Sequence, residues 1–193
     1  MFFMNSVGMT KEQNQKMHPH KFLLWIAIGS ITMMFAGFTS AYIVKSNMAG
    51  WQPIKMPKLF YWSTFVILLS SATIHLSQHV FRQRKMNHYR RLITATAFLG
   101  IAFVILQIAG FSSLWSQQIT FKESLAGSFF YIIAGVHGLH VIGGIIALLV
   151  IFFRAFSSTR RYYSSTPIEV AAIYWHFVDL LWIYLFVFFL LVS

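Results

Sequence analysis

The chain has 193 residues, of which 58% are hydrophobic, 18% aromatic and only 10% charged, with a formal net charge of +11 and no cysteine. A soluble domain of this size has too little interior for so much apolar surface, which leaves an integral membrane protein. The lack of cysteine excludes disulfides, thiolate metal sites and cysteine nucleophiles. The basic residues fall between long apolar runs, so they read as topology and lipid-headgroup signals and not as a nucleic-acid surface.

Residues 1–20 form a mostly polar N-terminal tail. No cleavable signal peptide is evident, because the first apolar run is long enough to remain as a spanning helix. That run holds 23 residues between Lys21 and Lys45 without Asp, Glu, Lys or Arg, and predicts a helix over 22–45. Further runs predict helices over 59–81, 91–115, 124–153 and 168–192. Each can cover a hydrocarbon core of about 30 Å, which takes roughly 20 helical residues. Continuous runs of this length do not resemble the short alternating segments of a membrane β-barrel. The expected fold is all-α, a single membrane domain over 21–193 made of five transmembrane helices.

Lys and Arg are uneven across the connecting segments. Lys11, Lys16, Lys21, Arg82, Arg84, Lys85, Arg90, Arg91, Arg154, Arg160 and Arg161 fall on one side, and Lys45, Lys55, Lys58 and Lys122 on the other. The positive-inside rule then places the N-terminus in the cytoplasm and the C-terminus in the periplasm, with Trp51, Trp62 and Trp115 at the outer interface. Pro19, Pro53, Pro57 and Pro167 all fall in tails, loops or helix starts, as helix continuity requires. Small residues four apart, Ala134 with Gly138 and Gly143 with Ala147 on the fourth helix and Gly37 with Ala41 on the first, suggest close helix packing.

The chemistry-bearing residues lie on the last two helices. His137 and His140 are three apart near the middle of the fourth, and His176 and Asp179 are three apart on the fifth. At 1.5 Å per residue His140 is about 20 Å deep, Asp179 about 14 Å and His176 about 9 Å, so an antiparallel pair could bring the sets together. A carboxylate at bilayer depth costs roughly 2.5–3.5 kcal/mol on insertion scales and must be compensated. The inventory is adequate for a zinc or iron site, although di-iron bundles need more carboxylates. It would also serve a short proton relay or transporter path. The reading favoured here is a polar clamp, with the histidines and Asp179 hydrogen-bonded across the fourth and fifth helices or holding a lipid. Glu169 has a local explanation in the capping box Thr166-Pro-Ile-Glu169, with Thr166 as N-cap. His75 and His79 are expected to face headgroups or neighbours, and His18 and His20 take no role. No nucleophile–base pair or phosphate-binding glycine loop is visible.

Tyr174-Trp-His-Phe-Val-Asp-Leu-Leu-Trp182, preceded by Glu169 and Ala171-Ala172, resembles the last helix of cytochrome c oxidase subunit III. Ser128-Phe-Phe130 followed by Gly135-Val-His-Gly-Leu-His-Val-Ile-Gly143 is similar to that family's penultimate long helix. The resemblance covers about residues 20–193, and five spans look like the short bacterial form that lacks the first two of seven helices. It implies a subunit without redox centre in a respiratory haem–copper oxidase of the bacterial inner membrane, with haems and copper on subunits I and II. It further implies packing on subunit I, phospholipid binding, and support of proton uptake and turnover stability. Subunit IV and a respiratory supercomplex are further candidate partners. His137, His140, Glu169, His176 and Asp179 become structural or lipid-site residues, with no catalytic, cofactor or metal role. Val178 is similar to the cytochrome c type, where quinol-oxidase members often carry Leu; a quinol oxidase or a nitric-oxide-reductase-associated homologue is the near alternative. In one respect the chain departs from the family: Ile31 or a neighbour stands where many members have a glutamate in the first helix.

Overall fold

A computed structural model describes residues 19–47, 51, 56–116, 125–156 and 166–192. They form α1 (Pro19–Ser46), α2 (Lys58–Arg82), α3 (Met86–Ser116), α4 (Leu125–Phe156) and α5 (Thr166–Val192). All five are long and apolar enough to cross a membrane, and no strand occurs among the described residues. The tail through His18, and Pro53, Lys55, Lys122, Arg160 and Arg161 in the connections, lie outside the described residues. The helix α3 begins five residues before its apolar run, because Arg90 and Arg91 sit on the helix itself. Long basic side chains at a helix end can reach the headgroups while their backbone stays helical.

Direction follows from pairs of contacts. Lys21 and Thr39 of α1 meet Glu169 and Tyr184 of α5, so these two helices are parallel. Arg82 and Tyr61 of α2 meet Glu169 and Phe186, an antiparallel pairing. The helices α4 and α5 are likewise antiparallel, through Phe130 with Phe189 and His140 with Tyr174. One end of the bundle therefore collects Lys21, Arg82, Arg84, Lys85, Arg90, Arg91 and Glu169, and is called the basic end below.

Helices α2, α3, α4 and α5 form a closed ring of neighbours, and α1 lies outside it against α4 and α5. The α2–α3 seam follows a seven-residue repeat. Its buried residues on α2 are Phe60, Ser63, Ile67, Ser70, Ile74 and Ser77. On α3 they include Tyr89, Ile93, Thr96, Gly100, Phe103, Gln107, Gly110 and Leu114. Steps of three and four residues alternate along both, the period of left-handed coiled packing. Serine at every seventh position of α2 lets the backbones approach. Polar groups join across the seam: Gln107 Nε2 donates to Ser63 Oγ at 3.2 Å, and the Thr73 and Thr96 hydroxyls lie 2.9 Å apart.

A tight turn joins the two. Arg84 has φ of 57°, the left-handed conformation that ends many helices. Its N–H donates to the Phe81 carbonyl at 2.9 Å, and that of Lys85 donates to Val80 at 3.3 Å. By contrast, α1 buries only a narrow stripe, Leu24, Phe35, Thr39 and Tyr42, and leaves Trp25, Met33 and Val44 facing outward.

Candidate functional site

Two tryptophans on α5 organise the centre of the ring. Trp175 is buried and its Nε1 donates to Ser70 Oγ of α2 at 3.1 Å. Its ring fills space left by glycines on two other helices. A methyl added at Gly100 of α3 would stand 2.7 Å from Trp175 Cη2, and one at Gly144 of α4 would stand 3.1 Å from Cε3. One turn-pair further, Trp182 donates from Nε1 to Thr64 Oγ1 of α2 at 3.0 Å. It stacks on His137 of α4, with centroids 5.2 Å apart and planes at 27°, and takes the edge of Phe103 of α3 at 5.4 Å. Each tryptophan thus touches all three other members of the ring.

The polar residues of α4 and α5 do not form the expected hydrogen-bonded clamp. His137 is buried with both ring nitrogens unpartnered, held by aromatic contacts with Trp182, Phe103 and Phe35. His140 turns Nδ1 back to the carbonyl of Val136 on its own helix at 2.8 Å. Only the backbone carbonyl of His140 reaches α5, accepting from the Tyr174 hydroxyl at 3.1 Å. The physical reason is the aromatic layer: Trp182, Phe103 and Phe35 surround His137, and His140 is turned back on its own helix.

The polar contacts of α5 run instead to α2. Ser71 Oγ and His176 Nδ1 lie 2.7 Å apart, and the His75 and His176 ring centroids are 6.2 Å apart. The Ser71 hydroxyl also reaches toward the Asp179 carboxyl. It completes no hydrogen bond there, and both carboxyl oxygens are buried without a partner. Only 3% of Asp179 is exposed. At the basic end, Glu169 in the first turn of α5 pairs with Lys21 Nζ at 2.8 Å and faces Arg82 Nη2 at 3.9 Å. Beside the local capping role read from Thr166 and Glu169, this carboxylate therefore joins three helices.

Among the described residues no group of three or more His, Asp or Glu is placed to hold a metal ion. His137 and His140 belong to an aromatic pocket, His176 and Asp179 to the α2 seam. The packing glycines also differ from those expected. Ala134 is buried, but a methyl at Gly138 or Gly37 would meet nothing within 4 Å, and Gly143 and Ala147 are exposed. Their spacing is right for a close contact, but among the described residues nothing packs on Gly138 or Gly37, and Gly143 meets only the Tyr174 hydroxyl, at 3.9 Å. The close approaches fall at Gly100, Gly110 and Gly144, where the facing atoms belong to Trp175 and Phe60. Single glycines opposite large aromatics carry no four-residue spacing, so the small-residue motif misses them. The seven-residue step between Trp175 and Trp182 was the available signal.

The family model of cytochrome c oxidase subunit III matches residues 21–193. The chain belongs to this family. Among curated relatives, the probable cytochrome c oxidase subunit 3 of Mycobacterium bovis is 32% identical over 169 residues, covering 85% of this chain and 82% of that protein. Cytochrome c oxidase subunit 3 of Damaliscus lunatus is 36% identical over 139 residues, 70% of this chain. The match covers 49% of the Damaliscus protein, so the chain spans about half the length of that relative. As a subunit III it is a multi-pass membrane protein. The α5 segment from Tyr174 to Trp182, which carried the resemblance, is the one that supplies both central tryptophans.

Proposed function

We propose that this chain is the non-catalytic subunit III of a respiratory haem–copper oxidase passing electrons from cytochrome c to oxygen in a bacterial inner membrane. The observation that carries the reading is the family match along the whole span-bearing region, 21–193. The subunit packs on subunit I, holds phospholipid, and supports proton uptake and stability during turnover, while haems and copper reside on subunits I and II. The N-terminus and the basic end face the cytoplasm, which the Lys and Arg of the α2–α3 turn support. The polar residues serve structure: Glu169 ties α1 and α2 to α5, and His137 fills an aromatic pocket. His140, His176 and Asp179 complete the set of structural and lipid-site residues.

Purification in mild detergent through a tag on this chain should bring down haem- and copper-bearing subunits. Removing the chain should leave the haem spectrum intact and make activity decay faster during turnover. Recovery of the chain alone, or an oxidase whose activity and decay are unchanged without it, would overturn the proposal.

A further inference from the structure

Asp179 is the single aspartate of the chain, and its carboxyl lies buried in the bundle. Its carboxyl is 3% exposed and neither oxygen has a hydrogen-bond partner. The groups around it are few. From α2 come Ser71 and His75, and from α5 His176, with Glu169 ten residues away at the helix start. From α4 come His137, stacked on Trp182, and His140, turned back to Val136 of its own helix. Between the terminal charges of α1 and α3, those helices offer only Tyr42, which sits at the opposite end against Trp51. Among the described residues no cation pairs with Asp179 within the bundle, and so small an exposure leaves no approach for one from a partner subunit. An ionised carboxylate without counter-ion or donor is the costliest group a bilayer can hold, whereas the neutral acid loses only a hydrogen bond.

A route to that carboxyl also exists, and it is one-sided. Ser71 Oγ lies 2.7 Å from His176 Nδ1 and reaches toward Asp179, His176 is half-buried beside His75, and His75 is exposed seven residues from Arg82 at the basic end. Toward the other end the bundle is filled by Trp182, Phe60, Phe130 and Phe189. We propose that Asp179 is a proton-binding site, a neutral carboxylic acid inside the membrane that exchanges its proton with the basic-end interface through Ser71, His176 and His75. In the exchange, the Ser71 hydroxyl closes its gap to Asp179, takes the proton of the Asp179 O–H on its oxygen and passes its own to the His176 imidazole. The reverse transfers return it, with no net oxidation or reduction. The site depends on the membrane setting and not on which oxidase the chain serves.

The full chain, made by cell-free synthesis in lipid nanodiscs with carboxyl-labelled 13C-aspartate, tests this by infrared spectroscopy at neutral pH. A single aspartate makes the assignment unambiguous. The expected result is a protonated-acid carbonyl band that shifts with the 13C label, shifts again in D2O, and is lost in Asp179→Asn. In Ser71→Ala and in His176→Gln the band should persist while its deuterium shift slows roughly a hundredfold, the scale of losing a positioned proton-transfer group. A label-sensitive carboxylate band in place of the acid band overturns the site. An acid band that exchanges as fast in both variants as in the wild type overturns the route. Either result is independent of whether oxidase subunits co-purify with the chain.

Discussion

Gly100→Ala tests whether Trp175 is held as tightly as the geometry states. The new methyl would lie 2.7 Å from Trp175 Cη2, 3.1 Å from Cζ2 and 3.3 Å from Ile145 Cγ1. The ring has nowhere to retreat, because Gly144 of α4 borders its other edge and Ser70 holds its Nε1. Overpacking of this kind costs about 1–3 kcal/mol. Alanine's helix preference over glycine returns at most about 1 kcal/mol. With that preference returned in full the net expectation is a loss of about 0–2 kcal/mol, and of about 1–3 kcal/mol against an alanine that meets nothing. Gly138→Ala is the matched control: its methyl meets nothing, so only the preference remains and stability stays level or rises. Unfolding of the purified chain in mixed micelles by dodecyl sulfate titration reads both. Trp175→Phe should make Gly100→Ala cheaper, with a coupling of about 0.5–3 kcal/mol in the double-mutant cycle. Equal stabilities for the two alanine variants, or a strictly additive cycle, would refute the packing argument.

Asp179→Leu removes a buried group that has no hydrogen-bond partner to lose, so the unfolding free energy should change by less than about 1 kcal/mol; a loss of several kcal/mol would reveal a strong hydrogen bond. Glu169→Gln should weaken the tie between α1 and α5 by about 1 kcal/mol or less, since both partners are partly exposed, and added salt should shrink the difference from wild type. Arg84→Gly relieves the left-handed residue of the α2–α3 turn and should stabilise the chain by about 1 kcal/mol in the same titration; a decrease would mean that the arginine side chain matters more than its backbone.

The five spans were legible because lipid imposes one simple rule, an unbroken apolar run of sufficient length. Where the rule is blind, the reading fell short. It trimmed the charged first turn of α3 and passed over the Phe60–Ser77 period of α2, which polar serines hide from a hydropathy count. The site was less legible still. Depth along two helices put the α4 and α5 polar residues at similar levels, but it does not give the rotation of each helix. Rotation decides that His137 meets a ring and His176 meets a hydroxyl. On α5, Trp175, Asp179 and Trp182 stand four and three residues apart on one face, and His176 lies one step round it. The two large rings settle that rotation, and neither reads as chemistry in a sequence.

The placement of α1 follows from the same reasoning. It is tied to the ring at three levels: Lys21 to Glu169 at the basic end, Thr39 to Tyr184 at 3.0 Å further along, and Tyr42 within a ring of Trp51, Phe129, Phe188 and Phe189. These ties use one narrow stripe. The remaining faces of α1, and the Gly143–Ala147 side of α4, present apolar surface that stays exposed among the described residues. In a bilayer such surface costs nothing against lipid, because lipid tails are as apolar as leucine, so its exposure alone does not demand a partner. What distinguishes the α4 face is its small side chains, which leave a shallow groove where a second helix could approach more closely than lipid. Substitutions along the buried α1 stripe should therefore register in the isolated chain, whereas bulky residues along the α4 groove should register only when the oxidase assembles.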